Sequence, residues 1–418
     1  MKTVLLVLVV ISSLLEAGFF FSSPKKVTHI QKVPAFDLSY EKGEALYYLN
    51  EIRETMGMNP LSPNSQLQTA AQAHADYLVR NKVATHSEVP SLPGFTGRTP
   101  TERAFKAGYL SSQVTENLST KNKDAKHSIN GLFSAIYHRF GFLDLSIDEI
   151  GVGVAQDSRD TENNAFVYLM GNANLNALCK QRPFTGYGRY MYHVCKDEAF
   201  RISQKRFVKA KEANKLLNPK VVLYPYDGQV EVPPAFYSEI PDPLPDYEVS
   251  GFPISVIFND HFFHKVELLS FELYKNGDKR VTNVRLLDHD SDPNGRFSPY
   301  EFALFPLKRL AYDTDYSAKI VYMEQGKKKE LSWHFHTKIP QERMLRITAK
   351  ESHITLQKGK TYLLYIVPQN GHDVLEGVTF PEEVYVRFAD NNTLRIKADE
   401  ADSFTIKSKH HTIHIVVE

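Results

Sequence analysis

Glu149-Ile-Gly-Val-Gly-Val154 is the stretch on which the fold turns. Ile150, Val152 and Val154 alternate with Gly151 and Gly153, so the segment reads as a strand with one apolar face and one bare face. A bare face admits another backbone at close range. Phe166–Met170 reads as a second strand, while the residues before position 149 carry helical spacing. Leu46, Leu49, Ile52 and Met56 recur at helical intervals, and a second helix starting near Ser65 aligns Leu67, Ala71, His74 and Leu78. Thr99-Pro100-Thr101-Glu102 is a capping box with proline at the first helical position, stopped by Gly108. A fourth helix is expected from about Asp124, with Ala125, Ile129, Leu132 and Ile136 on one face and its end near Gly141. Residues 38–175 are therefore α+β.

Downstream the pattern changes. Residues 176–218 read as a connector: a loop bounded by Cys179 and Cys195 and holding Pro183, Gly186 and Gly188, then a Lys-rich helical stretch through Ala210–Leu217. From Val221 short strands alternate with turns. Pro233-Pro234 and Pro241-Asp-Pro-Leu-Pro245 are rigid extended segments. Asn276-Gly277 predicts a hairpin. Leu331, Trp333 and Phe335 alternate with polar residues, placing the single Trp in a core. Strands at this density over 219–339 suit an immunoglobulin-like β-sandwich. Residues 340–418, with Tyr362–Val367, Val384–Phe388 and Thr412–Val417 as strands, read as a small all-β unit.

Composition narrows the function. Lys+Arg 50 against Asp+Glu 49 leaves a net charge of +1, without the basic excess of a nucleic-acid binder. Residues 1–22 read as a signal peptide: Met1-Lys2, an apolar run over Val4–Leu15, then the small pair Ala17-Gly18. The alternative is an uncleaved anchor, because Phe19–Phe21 lengthens the apolar stretch. No later segment is apolar enough to span a bilayer. The expected location is secreted, periplasmic or cell-envelope. Export gives the two cysteines a meaning, a Cys179–Cys195 disulfide; the alternative is a reactive thiol pair, which lacks the C-x-x-C spacing that tunes thiol acidity. Closing that loop stabilises by about 3 kcal/mol in the chain-entropy model.

Familiar nucleophile-elbow, zinc-helix and phosphate-loop motifs are absent. What remains is His86, Glu116 and His138, each at the end of a predicted element. Two imidazoles and a carboxylate converging on one cleft suit a divalent metal such as Zn or a polar ligand. Spacing alone equally allows scattered surface or core polar groups. His74, on an apolar helix stripe, reads as a hydrogen-bonded core histidine, Glu102 as the capping carboxylate, and Glu149 as an orienting group. His410, Thr412 and His414 share one strand face, read as solvated. Asp290-Ser-Asp-Pro-Asn-Gly295 with Glu301 fits a calcium-loop pattern, but Pro299 and Pro306 spoil an exiting helix, and a polar Asx turn is the competing reading.

An ordered series of short motifs adds a resemblance. Leu49-Asn-Glu-Ile-Arg53 with Gly57, Ala70-Ala-Gln-Ala-His-Ala-Asp76, Thr85-His-Ser87, Gly97-Arg-Thr-Pro100, Arg103, Ala107-Gly-Tyr109, Glu116-Asn-Leu118, His138-Arg139 and Glu149-Ile-Gly-Val-Gly153 appear in family order. Residues 44–170 thereby resemble a CAP domain, the cysteine-rich secretory, venom-antigen and pathogenesis-related superfamily, in its bacterial secreted form. The resemblance implies an αβα sandwich with a cleft where His86 is the first cleft histidine, Glu116 the glutamate of the G-E-N motif, and His138 the histidine of the S-P-G-H-R segment. Thr115, Ala135-Ile-Tyr137 and Tyr168-Leu-Met170 depart from the family pattern. The expected function is an exported binding protein whose cleft takes a ligand or metal ion, with lipids, sterols, metals or proteins as the implied partner classes. Its β-regions would meet envelope or extracellular partners. The alternative is a metal-dependent hydrolase with a metal-bound water on His86 and His138 and Glu116 as general base. A purely structural envelope role stands third.

Overall fold

The computed structural model describes residues 33–381, 383–399 and 402–418; the predicted signal segment, residues 1–22, lies outside them. The chain is α+β. The first region runs α1 (Leu38–Thr55), β1 (Ser62–Pro63), α2 (Ser65–Asn81), α3 (Pro100–Lys106), β2 (Thr115–Thr120), α4 (Ala125–Ser134), α5 (Ile136–Phe142), β3 (Glu149–Gln156), β4 (Asn164–Gly171) and α6 (Ala173–Cys179). Its sheet has the order β1-β3-β4-β2, with β3–β4 and β4–β2 antiparallel and β1–β3 parallel.

Helices cover both faces of this sheet, and strand parity decides which side chains meet them. Ile150, Val152, Val154, Phe166, Tyr168 and Met170 join one core with Ala45 and Leu49 of α1 and Ile129 and Phe133 of α4. The opposite face packs Ala155, Val167 and Leu169 against Leu67, Ala71, Ala75 and Leu78 of α2. Here the bare side of β3 has its use. A Cβ on Gly151 would stand 2.0 Å from the Leu67 carbonyl carbon, and one on Gly153 would stand 2.2 Å from the Ala71 carbonyl oxygen. Since the clash is with helix backbone, Gly151→Ala is expected to push α2 off the sheet and cost about 3 kcal/mol, read as a lowered urea midpoint.

The capping signals are realised with one change. Asn64 and Thr99 accept hydrogen bonds from the first amides of α2 and α3. The Glu102 carboxylate reaches back to the Arg98 N–H, one residue before the cap itself. The predicted fourth helix is corrected to two: Ala135 is extended (ψ 118°) and separates α4 from α5. His138 therefore sits in the first turn of a separate helix instead of at the end of a long one.

Cys179 and Cys195 are disulfide-bonded, with Cα atoms 5.5 Å apart. The looped chain lies against the first region through backbone bonds from Ser112 N–H to Val194 O and from Lys196 N–H to Leu110 O. After helix α7 (Gln204–Lys215) the chain is β-rich. One sheet orders the strands Val284–Leu287, Glu301–Pro306, Ile254–Phe258 and Val221–Tyr224; a second orders Lys279–Arg280, Glu267–Lys275, Asp315–Glu324, Lys327–Thr337 and Gln229–Val232. The two sheets face each other through contacts such as Phe258 on Tyr322, 4.9 Å between ring centroids. Trp333 is buried beside Phe271, as its alternation predicted. Asn276-Gly277 turns a hairpin, with both residues at positive φ (50° and 90°).

This core is continuous with the α1/α4 side of the first region, through Phe133 on Tyr224 and Phe140 on Phe297 (both 4.9 Å). Residues 345–417 have a core of their own between a four-stranded and a three-stranded sheet. They join the preceding sheets through Arg309, which donates to both oxygens of Asp390, with Tyr237 and Tyr312 donating to the same carboxylate. Burial works against that charge, but Arg309 and Tyr312 hold the Asp390 carboxyl down at about 2. Among the described residues no helix is long and apolar enough to cross a membrane.

Candidate functional site

Beneath the predicted cleft lies a buried polar cluster. Arg103 of α3 is fully buried and donates from one guanidinium nitrogen to both oxygens of Glu116 on β2, at 2.9 and 2.8 Å. A second Arg103 nitrogen donates to Gly97 O. His74 of α2 lies below, its Nδ1 2.9 Å from Glu88 Oε1 and its Nε2 3.0 Å from Thr85 O. Arg103 lies between the two buried carboxylates, 2.8 Å from Glu116 and 3.9 Å from Glu88, so the buried anions have a cation among them, as burial of charge requires. Burial pushes the Glu88 carboxyl up, but His74 and the Thr96 and Gly97 amides bring it below the ordinary value. Burial likewise opposes ionisation of Glu116, and the His86 hydrogen bond with the Arg103 charge more than offsets it.

His86 stands on top of this cluster. Its Nδ1 lies 2.9 Å from Glu116 Oε1, and its side chain is 45% exposed. The structure brings it to His138: the rings face each other with centroids 6.2 Å apart and planes 22° from parallel. His138 Nδ1 is held by Glu239 Oε2 at 3.0 Å, and Glu239 Oε1 accepts from the Ile136 N–H at 2.6 Å. One carboxylate therefore caps α5, which Ala135 cannot do, and also orients the first-turn histidine. Glu239 belongs to the Pro-rich segment 233–245, 101 positions beyond His138 in the chain. The Asn117 side chain, next to Glu116, fixes the same turn by donating to His138 O at 2.7 Å.

Each cleft imidazole is thus anchored by a carboxylate at Nδ1, and among the described residues neither Nε2 makes a hydrogen bond. That is how a metal-ligating histidine is held: the rear carboxylate fixes the tautomer and raises the basicity of the outward nitrogen. The donor set on offer to a cation is these two outward nitrogens. It supplies no third, because Glu116 is engaged by Arg103 and Glu239 by the Ile136 amide. Glu116 is also ill-suited as a general base, being buried, doubly bonded to a guanidinium and depressed in pKa.

The remaining singled-out residues lie elsewhere. Glu149 accepts from Asn64 Nδ2 and from the Tyr109 hydroxyl, and orients both. The 290–301 loop is an Asx turn: Asp292 accepts from the amides of Asn294, Arg296 and Phe297 and from the Tyr137 hydroxyl. Burial raises the Glu301 carboxyl to about 7, and its oxygen accepts from Ser298 N–H. These carboxylates do not converge as a calcium loop would have them. His414 is on the outer face of the last strand but has partners there, Glu351 and His353. Sequence reasoning missed Glu239, Glu88 and the buried role of Arg103; of these only Arg103 left a trace, in its place within the motif series.

Residues 46–172 match the model of the cysteine-rich secretory protein family, CAP. Similar solved structures include an outer surface protein from Borrelia burgdorferi, 20% identical, TM-score 0.29, covering 32% of this chain and 95% of that one. An extracellular protein containing an SCP domain from Bacillus anthracis is 17% identical, TM-score 0.28, covering 33% of this chain and 44% of that one. A cysteine-rich secretory protein from Staphylococcus aureus is 18% identical, TM-score 0.26, covering 36% and 44%. The chain spans less than half the length of the latter two. No curated protein matches it.

Proposed function

Since residues 46–172 form a CAP domain, we propose that its cleft is a binding site, not a hydrolytic one, in an exported protein. His86 and His138 hold a zinc-type divalent cation or, in its place, a ligand group that donates to their Nε2 atoms. The observation that carries this reading is the paired carboxylate support, Glu116 behind His86 and Glu239 behind His138. A cation there would supply a positive charge with open positions for an oxygen donor of a bound ligand. The chain's own residues do the positioning: Arg103 keeps Glu116 ionised, and Glu239 sets the His138 ring. Hydrolysis through a metal-bound water lacks its base, because Glu116 is tied to Arg103. The disulfide supports export to an oxidising compartment. The β-rich regions 219–339 and 340–418 are proposed as the surfaces that meet envelope or extracellular partners.

Native mass spectrometry and calorimetric titration of the full chain with ZnCl2 test this. The His86→Ala/His138→Ala variant is expected to bind one equivalent fewer than the native chain. Glu239→Gln, which keeps the shape but not the charge, should weaken that equivalent by about 10–100-fold. An unchanged stoichiometry in the double variant would overturn the metal reading.

A further inference from the structure

We propose that Glu351, His353 and His414 form a separate surface site for a borderline divalent cation of the Zn2+, Ni2+ or Cu2+ class. The strands Glu351–Leu356 and Thr412–Val417 pair in parallel, in a register that sets His353 directly opposite His414. Their rings stack with centroids 4.7 Å apart and planes 17° from parallel. Two residues before His353, and so on the same face of the strand, Glu351 brings Oε1 to 3.3 Å from His414 Nε2. One ligand atom from each of the three lies within 4.8 Å of the other two.

The third strand of the sheet supplies the support. Thr405 is the register partner of His414, and its Oγ1 lies 3.3 Å from His414 Nδ1. A cation on Nε2 requires the tautomer with the proton on Nδ1, and that proton then has the Thr405 hydroxyl as its acceptor. The proton that Nε2 would otherwise share with Glu351 is released to water as the carboxylate turns to the cation.

Two imidazole nitrogens and one carboxylate oxygen select the metal class. Calcium and magnesium want oxygen cages, whereas imidazole suits zinc, nickel and copper. Three protein ligands leave a position for water or an outside donor. The exposed His–acid pairs elsewhere differ: His193 with Glu198, His334 with Asp227 and His372 with Glu248 each bring a single imidazole to a single carboxylate. Among the described residues this is the one group of three such ligands that converges. It is remote in sequence from the cleft and does not depend on the cleft reading.

The test uses the full chain with His86→Ala and His138→Ala already in place, titrated with ZnCl2 by calorimetry at pH 7.5. One equivalent is expected to remain. Adding His353→Ala or His414→Ala should weaken it at least tenfold, Glu351→Gln should weaken it less, and His193→Ala should leave it unchanged. Binding should also fall about tenfold or more from pH 7.5 to 5.5, because the ligands must be deprotonated. The substituted side chains lie on the outer face, so matched circular dichroism is expected throughout; were a His variant to lose its fold, Glu351→Gln would carry the comparison alone. No zinc bound in the His86/His138 background, or an unchanged isotherm after the His353 and His414 substitutions, overturns the site.

Discussion

Arg139→Ala is expected to lower the unfolding free energy by about 3–5 kcal/mol, through the buried volume and the hydrogen bonds lost. Arg139 of α5 is wholly buried. Its Nε donates to Phe133 O, and one terminal nitrogen donates to Pro253 O and Ser255 Oγ, at 2.7, 2.8 and 3.0 Å. The guanidinium also lies over the Tyr224 and Phe252 rings, which adjoin each other, at 4.8 and 4.9 Å from their centroids. Burial lowers its pKa to about 10, so it remains charged at neutral pH. Alanine takes the donor from three acceptors and leaves a void beside two aromatic rings. Arg139→Lys should recover part of the charge interaction but not the planar stacking. Urea unfolding at pH 7 reads both; a loss under 1 kcal/mol for alanine would show that the contact between the CAP domain and the following sheets is incidental.

Glu116→Gln should cost a similar amount, about 3–5 kcal/mol at pH 7. The amide keeps the volume but leaves Arg103 facing Glu88 at 3.9 Å as its nearest remaining anion. The pH dependence separates this from a packing defect. The folded-state pKa of Glu116 lies below the ordinary value near 4.3, so its stabilisation is fully present above that value and is lost as pH falls toward the depressed one. The gap between native and variant should therefore be constant from pH 6 to 8 and shrink below about pH 4. A gap that persists undiminished at pH 3 would mean that Glu116 is not held as a carboxylate. Because His86 Nδ1 rests on the same oxygen as Arg103, the variant should also release the His86 ring, which zinc titration detects independently of stability.

What could be read beforehand follows from how local each signal is. The Gly151/Gly153 alternation is a property of one strand, and its purpose, contact with a helix backbone, is implied by the missing side chains. The cap at Thr99 and the turn at Asn276-Gly277 are equally local. His86 and Glu116 meet across 30 positions, and spacing alone did not join them; the order of motifs in the resembling family did. The split between α4 and α5 was invisible because Ala135 is a good helix former and the apolar spacing runs straight through it. A carboxylate from far along the chain decides that break. Arg103 and Arg139 look like surface charges by residue type, and only the tertiary contacts show them buried. His353 escaped notice because a parallel strand pairing, which no local pattern announces, is what sets it beside His414.

Glu239 gives the architecture a consequence for transplantation. A CAP segment cut out at residue 172 leaves behind the carboxylate that caps α5 and the Pro253 and Ser255 acceptors that hold Arg139. Such a fragment would carry a fraying helix where the cleft should be and an exposed aromatic flank around Phe133 and Phe140. Grafting the segment into another protein, or exchanging it for a related one, therefore succeeds only if the recipient brings an acidic side chain to the same place. The folding unit here extends beyond the motif that identifies it.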